Sequence, residues 1–480
     1  MNYRQILHVL GLILLIYSGL MFLPMIAGLF YHESPISFLK TMLLSGCTGA
    51  LLLIPRPKND TLVARDGFVI VGMGWILISL FGALPFLFSG TMPNFTDAFF
   101  ETVSGLTTTG ATVLRDFDRL PRGLMFWRIF THWIGGMGVL VFVMAVLPMS
   151  GEHSMHIMRA EVPGPNVGKL VPRVRRTAMI LYLIYIALTL LETIILCLSG
   201  MSFYDALLHS FSTAGTGGFS TMVDSITGFH SQTTETIIAV FMILFALNFN
   251  LYYLLLIGSF RKVLLNEELR DYIILIVLAV CTISLTLWHY RVYDVRTAFH
   301  HSFFNVASII STTGFGTVDF TKWPEQCKWI LILLMFCGGC AGSTGGGIKM
   351  SRLIILSKSV LADIKQISRP RNVLRVQVDG NRVEDSALHA VLTFVSLYFI
   401  LLIFFSLAVS FDGLDIPTSF TAALSCLSNV GPGMTTAIGP AGSFAFFPVR
   451  SKLLLSCAML LGRLEIYPIL VLFAPRTWKR

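Results

Sequence analysis

The chain has 480 residues, 55% of them hydrophobic and only 13% charged, with a mean hydropathy of +0.75. A soluble chain needs roughly 25% charged residues to cover its surface. About half of the solvent-facing charge is therefore missing, which excludes a secreted disulfide scaffold, a DNA-binding domain and an ordinary cytosolic enzyme as the main identity. The formal net charge of +9 is read first as a signal of membrane topology and only then as affinity for an anionic partner.

Arg4 is followed by an apolar run to Phe30, too long for a cleaved leader and suited to a spanning helix. With this run at 6–30, further spans are expected near 37–55, 67–89, 124–147, 177–199, 234–259, 272–290, 328–357, 386–410 and 451–473, about ten in all. Four shorter semi-apolar segments, at 95–106, 203–214, 298–310 and 418–427, are too short to cross and are predicted to be re-entrant helices. Ten spans put both termini on one side. Loops on that side hold 22 of the 35 lysines and arginines, against 11 opposite, so the termini are predicted to be cytoplasmic. The longest polar stretches, 150–176 and 358–386, fall on the same side. The eight cysteines are scattered, mostly in apolar runs, and read as reduced packing residues. The Cys337-x-x-Cys340 pair has no nearby histidine or second cysteine pair to make a metal site.

The most informative pattern is an internal repeat. Residues 99–112 read F-F-E-T-V-S-G-L-T-T-T-G-A-T and 207–220 read L-L-H-S-F-S-T-A-G-T-G-G-F-S. A third copy at 303–316 reads F-F-N-V-A-S-I-I-S-T-T-G-F-G, and a fourth at 420–433 reads F-T-A-A-L-S-C-L-S-N-V-G-P-G. Each has a serine (104, 212, 308 or 425) and a glycine six residues later, and the glycines stand 108, 96 and 117 residues apart. Each copy lies between two spans. The expected fold is thus an all-α polytopic membrane protein in which helix, re-entrant pore helix, glycine loop and helix recur four times around one pore. The predicted division is an N-terminal two-helix unit at 1–60 and pore repeats at 61–150, 151–262, 263–370 and 371–480.

Non-helical backbone exposed to lipid leaves carbonyls unsatisfied, so four such loops are tolerable only where they meet around water or a ligand. Glycine permits the positive φ that turns successive carbonyls inward, where four strands can replace the hydration shell of a cation. The C-terminal ends of the short helices add partial negative charge, which favours a cation over an anion. The candidate ligands are Thr108, Thr109 and Gly110 in the first loop, and Gly217 and Gly218 in the second. The third loop contributes Thr312, Thr313 and Gly314, and the fourth Asn429, Val430 and Gly431. Asp97, Asp205, Asp294 and Asp415 stand near the starts of the re-entrant helices and read as caps or dipole partners. His132, His209, His300 and His301 read as structural, without repeating partners. With no cluster of catalytic or metal-ligating spacing, neither enzyme activity nor a resident cofactor is expected.

The layout, with T-T-T-G-A-T at 107–112, G-G-F-S-T at 217–221, S-T-T-G-F-G at 311–316 and S-N-V-G-P-G at 428–433, resembles the Trk, Ktr and HKT superfamily of potassium transporters. The runs G-G-C-A-G-S-T-G-G-G-I-K at 338–349 and L-G-R-L-E-I-Y-P at 461–468 narrow the resemblance to the TrkH-type membrane subunit of bacterial Trk systems. It covers essentially the whole chain. The resemblance implies K⁺ uptake across the inner membrane with K⁺ as the transported ion, lipid contact, a homodimer and a cytosolic TrkA-type nucleotide-binding ring. Nucleic acid is not an expected partner. In plant relatives that admit Na⁺ the first filter glycine can be serine; glycine at 110 favours K⁺.

The eighth span carries six glycines between Gly338 and Gly347. At about 1 kcal/mol per glycine relative to alanine, a helix is expected to break there. In the resembling family this segment lies below the filter and obstructs the pore, which assigns Gly345, Gly346 and Gly347 to a gate. Arg463, near mid-depth of the last span, needs a partner or a water-filled path. It is read as a charge inside the filter that opposes permeation and helps hold the glycine loop, with Glu465 or backbone carbonyls as alternative partners. The glycine run fails the phosphate-loop spacing, because Ile348 precedes Lys349. A proton- or sodium-coupled transporter with alternating access stays open as the alternative.

Overall fold

The computed structural model describes residues 1–55, 63–117, 120–138, 174–368 and 375–478. The end of the expected 124–147 span and most of the polar stretch 150–176 lie outside the described residues. Helices dominate; the strands among the described residues are β1 (Gln377–Val378) and β2 (Asn381–Arg382), an antiparallel hairpin with Gln377 opposite Arg382.

The N-terminal unit is α1 (Tyr3–Leu20), continued by α2 (Phe22–Phe30), and α3 (Ile36–Leu53). Gly11 and Gly49 let α1 and α3 approach until each would place a Cβ against the other's carbonyl oxygen. Four similar units follow. The first has α4 (Ala64–Phe88), pore helix α5 (Phe95–Leu106) and α6 (Arg122–Gly136). In the second, α7 (Val174–Leu198) leads to pore helix α8 (Phe203–Gly215), then to α9 (Gln232–Phe245) and α10 (Phe249–Leu256), with α11 (Phe260–Leu264) as a connector. The third is α12 (Glu267–His289), pore helix α13 (Val295–Ile310), α14 (Glu325–Cys337) and α15 (Met350–Ser368). The fourth is α16 (Asp385–Ser410), pore helix α17 (Ile416–Ser428), α18 (Val449–Arg463) and α19 (Tyr467–Phe473).

Pore helices of 12, 13, 16 and 13 residues rise at most about 24 Å at 1.5 Å per residue, short of a hydrocarbon core about 30 Å thick. They are nevertheless largely buried, more than half of the residues of each being inside. Their starts are set by local chemistry: Asn94 accepts from the Thr96 amide, Ser202 from that of Asp205, and Asp294 from those of Arg296 and Thr297.

Burial is inverted relative to a soluble protein. Leu43, Leu183, Ile273 and Ile400 are exposed on outer helices, whereas Ser104, Thr108, Ser212, Thr312 and Ser425 are buried at the centre. An apolar exterior around a polar interior suits lipid outside and a polar path within.

Six helices of the described residues are long and apolar enough to cross a membrane, or seven if the α9/α10 pair, bent by 89°, is one span. The remaining expected spans are broken. In every unit the first span is continuous, while the second ends or bends part-way: α6 at Gly136, α9 before Phe249, α14 at Cys337 and α18 at Arg463. Tyr3 Oη donates to the Trp478 carbonyl at 3.1 Å, so the two terminal segments lie together on one face.

Candidate functional site

Each pore helix runs into its glycine loop by the same backbone device. The carbonyl of the repeated serine accepts from the amide five residues on: Ser104 from Thr109 at 2.9 Å, Ser212 from Gly217 at 2.8 Å, Ser308 from Thr313 at 2.9 Å and Ser425 from Val430 at 2.9 Å. The residue before that amide is left-handed, with φ of 54° at Thr108, 54° at Thr216, 60° at Thr312 and 55° at Asn429. The glycine after it is left-handed again, with φ of 79° at Gly110, 81° at Gly218, 86° at Gly314 and 101° at Gly431. Threonine is β-branched, and its placement there costs about 1–3 kcal/mol per residue. Such strain persists only where the surroundings over-determine it.

The four loops close into a ring. A Cβ on Gly110 would overlap the carbonyl oxygen of Gly217, one on Gly218 that of Thr313, one on Gly314 that of Val430, and one on Gly431 that of Thr109. Each loop's middle carbonyl therefore sits against the glycine of the preceding loop, and the four meet around one axis in chain order. Glycine is required at these positions twice over, by its positive φ and by its neighbour's oxygen. A cavity of about 360 Å³ is lined by all four glycines. All eleven loop residues picked out from sequence are in this ring. Thr216 was missed; the alignment of Gly218 with Gly110 places it opposite Thr108.

The loop at 338–349 packs directly against this ring from the other side. The Gly346 amide donates to Thr312 Oγ1 at 2.6 Å, and a Cβ on Gly346 would overlap the Ser428 carbonyl. The loop is held at its neck by Ile348 N to Phe336 O at 3.1 Å and Met350 N to Gly339 O at 3.0 Å. Lys349 Nζ donates to the Gly345 carbonyl. Glu268 Oε1 accepts from the amides of Ala341 at 2.7 Å and Ser351 at 3.0 Å, fastening both ends to α12.

The breaks in the second spans are joined to each other. Cys340 N donates to Ala246 O at 2.9 Å, and Thr344 Oγ1 to Phe245 O at 3.1 Å. Arg463 Nη1 donates to Thr344 O at 2.6 Å, and Nη2 to the carbonyls of Gly135 and Gly136 at 2.5 Å each. Of the two partners expected for Arg463, backbone carbonyls are observed. Glu465 instead pairs with Arg352, with Nη1 to Oε1 at 3.1 Å and Nη2 to Oε2 at 2.6 Å, and the Arg352 guanidinium lies 4.0 Å from the Phe394 ring centroid.

Of the four aspartates, Asp294 is a helix cap, and hydrogen bonds from the Thr297 side chain and amide hold its carboxyl below the ordinary range. Asp205 accepts from Ser202 Oγ at 2.7 Å and Thr221 Oγ1 at 2.8 Å. Asp97 pairs with Lys452 at 2.6 Å. Asp415 stands at the cap position of α17 without a side-chain cap bond.

Four pseudo-repeats that bring strained backbone loops to one axis, wrapped in apolar helices, define the class: polytopic membrane transport proteins built from four similar units. The family model described as TrkH, cation transport protein, matches residues 35–480, and the chain belongs to this family of transporters, not to an enzyme family. It is 38% identical over 486 residues to the Trk system potassium uptake protein TrkH of Salmonella typhimurium, covering 100% of each chain. It is 37% identical over 481 residues to the Trk system potassium uptake protein TrkG of Escherichia coli, covering 99% of each. The crystal structure of the potassium transporter TrkH from Vibrio parahaemolyticus superposes with a TM-score of 0.89 at 35% identity, covering 100% of both chains.

Proposed function

We propose that this chain takes up K⁺ across the bacterial inner membrane through a selective, gated, channel-like pore, as the names of its relatives suggest. The observation that carries the reading is the closed ring of four loop carbonyls, those of Thr109, Gly217, Thr313 and Val430, each lodged against the preceding loop's glycine. Backbone oxygens around one axis suit a weakly hydrated monovalent cation. The filter is then 108–110, 216–218, 312–314 and 429–431, and the four pore repeats are the units that deliver it. The gate is the loop of Gly345, Gly346 and Gly347 together with Arg463. Direct contact of this loop with Thr312 supports the assignment, as does the placement of a buried guanidinium where the four broken spans join.

The reading includes cytoplasmic termini, a homodimer, and control by a cytosolic TrkA-type nucleotide-binding ring. The paired terminal segments and the excess of basic residues on their side support the orientation.

Reversal potentials of the reconstituted protein under K⁺, Na⁺ and pH gradients test the reading. A potential that follows the K⁺ gradient alone is expected; a fixed dependence on the pH gradient would overturn the channel. One observation favours that second, coupled reading: Glu192 of α7 is 0% exposed and has no ion-pair partner among the described residues.

A further inference from the structure

The loops after the four glycines are held from behind by a position that repeats in register but not in residue type. Nine residues before Gly110, Gly218, Gly314 and Gly431 stand Glu101, His209, Asn305 and Ala422. Glu101 Oε1 accepts from Thr112 Oγ1 at 2.8 Å, and Oε2 from the Val113 amide at 2.9 Å. His209 Nε2 accepts from Ser220 Oγ at 3.0 Å, its Nδ1 donating to the Asp205 carbonyl at 2.8 Å. Asn305 Nδ2 donates to Thr317 Oγ1 at 3.3 Å. Each partner lies two or three residues beyond its glycine. Ala422 can make no such bond, and the fourth loop is held instead by the Met434 amide donating to Thr421 Oγ1 at 3.3 Å and by Thr418 Oγ1 donating to Thr435 Oγ1 at 3.1 Å.

The first loop's buttress is charged and shared. Arg128 of α6 donates through Nε to Glu101 at 2.6 Å, with the two side chains 1% and 0% exposed. Its Nη1 reaches the Ser220 carbonyl of the second loop at 3.3 Å, and its guanidinium lies 3.5 Å from the Phe219 ring centroid. One buried pair thus fixes the outer ends of two adjacent loops. Bonds to charged groups in a buried setting are the strong ones, and losing one partner leaves the other uncompensated.

We propose that the residue nine before each of the first three loop glycines positions the carbonyls that distinguish K⁺ from Na⁺, and that the Glu101–Arg128 pair dominates the set. Arg128 reaches the wall of the cavity lined by the four glycines, but Glu101, His209 and Asn305 do not line it and act through the loops. The inference rests on the filter reading above. A smaller cation is rejected only if the ring resists contraction, and that resistance comes from what fixes the loops at their outer ends.

Reconstituted Glu101→Gln protein, measured by reversal potential, is expected to lose K⁺ over Na⁺ preference by roughly threefold to tenfold, the range of a lost charge-assisted bond felt by one ion more than the other. Asn305→Leu removes a neutral donor without stranding a charge and is expected to give a smaller loss in protein of wild-type thermal stability. The double variant Glu101→Gln/Arg128→Gln relieves the stranded arginine and should remain unselective. Recovery of selectivity in the double variant would overturn the proposal, since the stranded charge rather than loop positioning would then be the cause. Wild-type selectivity in folded Glu101→Gln and Asn305→Leu, beside a Gly110→Ser variant whose selectivity does shift, would overturn it while leaving the filter reading intact. If Gly110→Ser also leaves the ratio unchanged, the filter reading fails and takes the proposal with it.

Discussion

The Gly346 amide donates to the Thr312 hydroxyl at 2.6 Å, which joins the glycine-rich inner loop to the third loop of the ring without an intervening residue. The loop proposed as the gate and the ring proposed as the filter are thus in direct contact. Moving the inner loop away must break a buried hydrogen bond to a residue whose own backbone is held at a φ of 60°.

Thr312→Val keeps the β-branched shape and removes the acceptor. A net bond worth about 1 kcal/mol biases the closed arrangement by about fivefold, so basal K⁺ flux into liposomes without the regulator should rise by about that factor. Flux equal to wild type in folded protein would mean that the bond does not hold the gate.

Gly110→Ser is expected to raise Na⁺ permeability relative to K⁺. A side chain at 110 must meet the Gly217 carbonyl and must also adopt a φ of 79°, so the ring has to open on that side. Reversal potentials under bi-ionic conditions measure the change, and an unaltered ratio would place the filter elsewhere.

Arg352→Lys retains the charge but not the planar fork that meets both oxygens of Glu465 and stacks on Phe394. Loss of one charge-assisted bond in a largely buried pair should cost about 1–3 kcal/mol. The thermal midpoint in detergent should fall, and Glu465→Gln should lower it similarly. Unchanged midpoints in both variants would show the pair to be energetically neutral.

The ring was legible in the sequence because its demands fall on the backbone. Positive φ and a neighbour's oxygen at van der Waals range admit only glycine, so the same letter recurs at 110, 218, 314 and 431. The break at 338–349 was legible for a related reason, the glycine run. The buttress was not, because Glu101, His209, Asn305 and Ala422 share a position and no chemistry, and His209 accordingly read as a histidine without repeating partners. Arg128, one of the 11 basic residues counted opposite the termini, is buried. The bend between α9 and α10 falls inside an apparently continuous apolar run. Its signal is the Asn248 side chain, which caps α10 by accepting from the Asn250 amide at 3.0 Å. Arg463 and Glu465 could not pair across a helix, since residues two apart face different sides, and Glu465 and Ile466 then leave the helix with φ of 53° and 70°.

Arg463 holds three carbonyls from two different repeats, Thr344 on the inner loop and Gly135 and Gly136 at the end of α6. On the proposed reading it acts in two ways, as a clamp and as a positive charge beside the path. Arg463→Ala removes both. A unit charge roughly 8 Å from an ion at an effective dielectric of about 20 opposes passage by about 2 kcal/mol, so K⁺ flux without the regulator should rise at least about tenfold. Deletion of Gly345 to Gly347 should also raise flux by shortening the obstructing loop. Because that deletion removes the donor to Thr312, it should weaken K⁺ over Na⁺ preference, whereas Arg463→Ala should leave that preference close to wild type. Flux and reversal potential measured on the same proteoliposomes separate these outcomes. If both variants fold and neither conducts faster than wild type, the joined breaks are scaffold and the gate lies elsewhere.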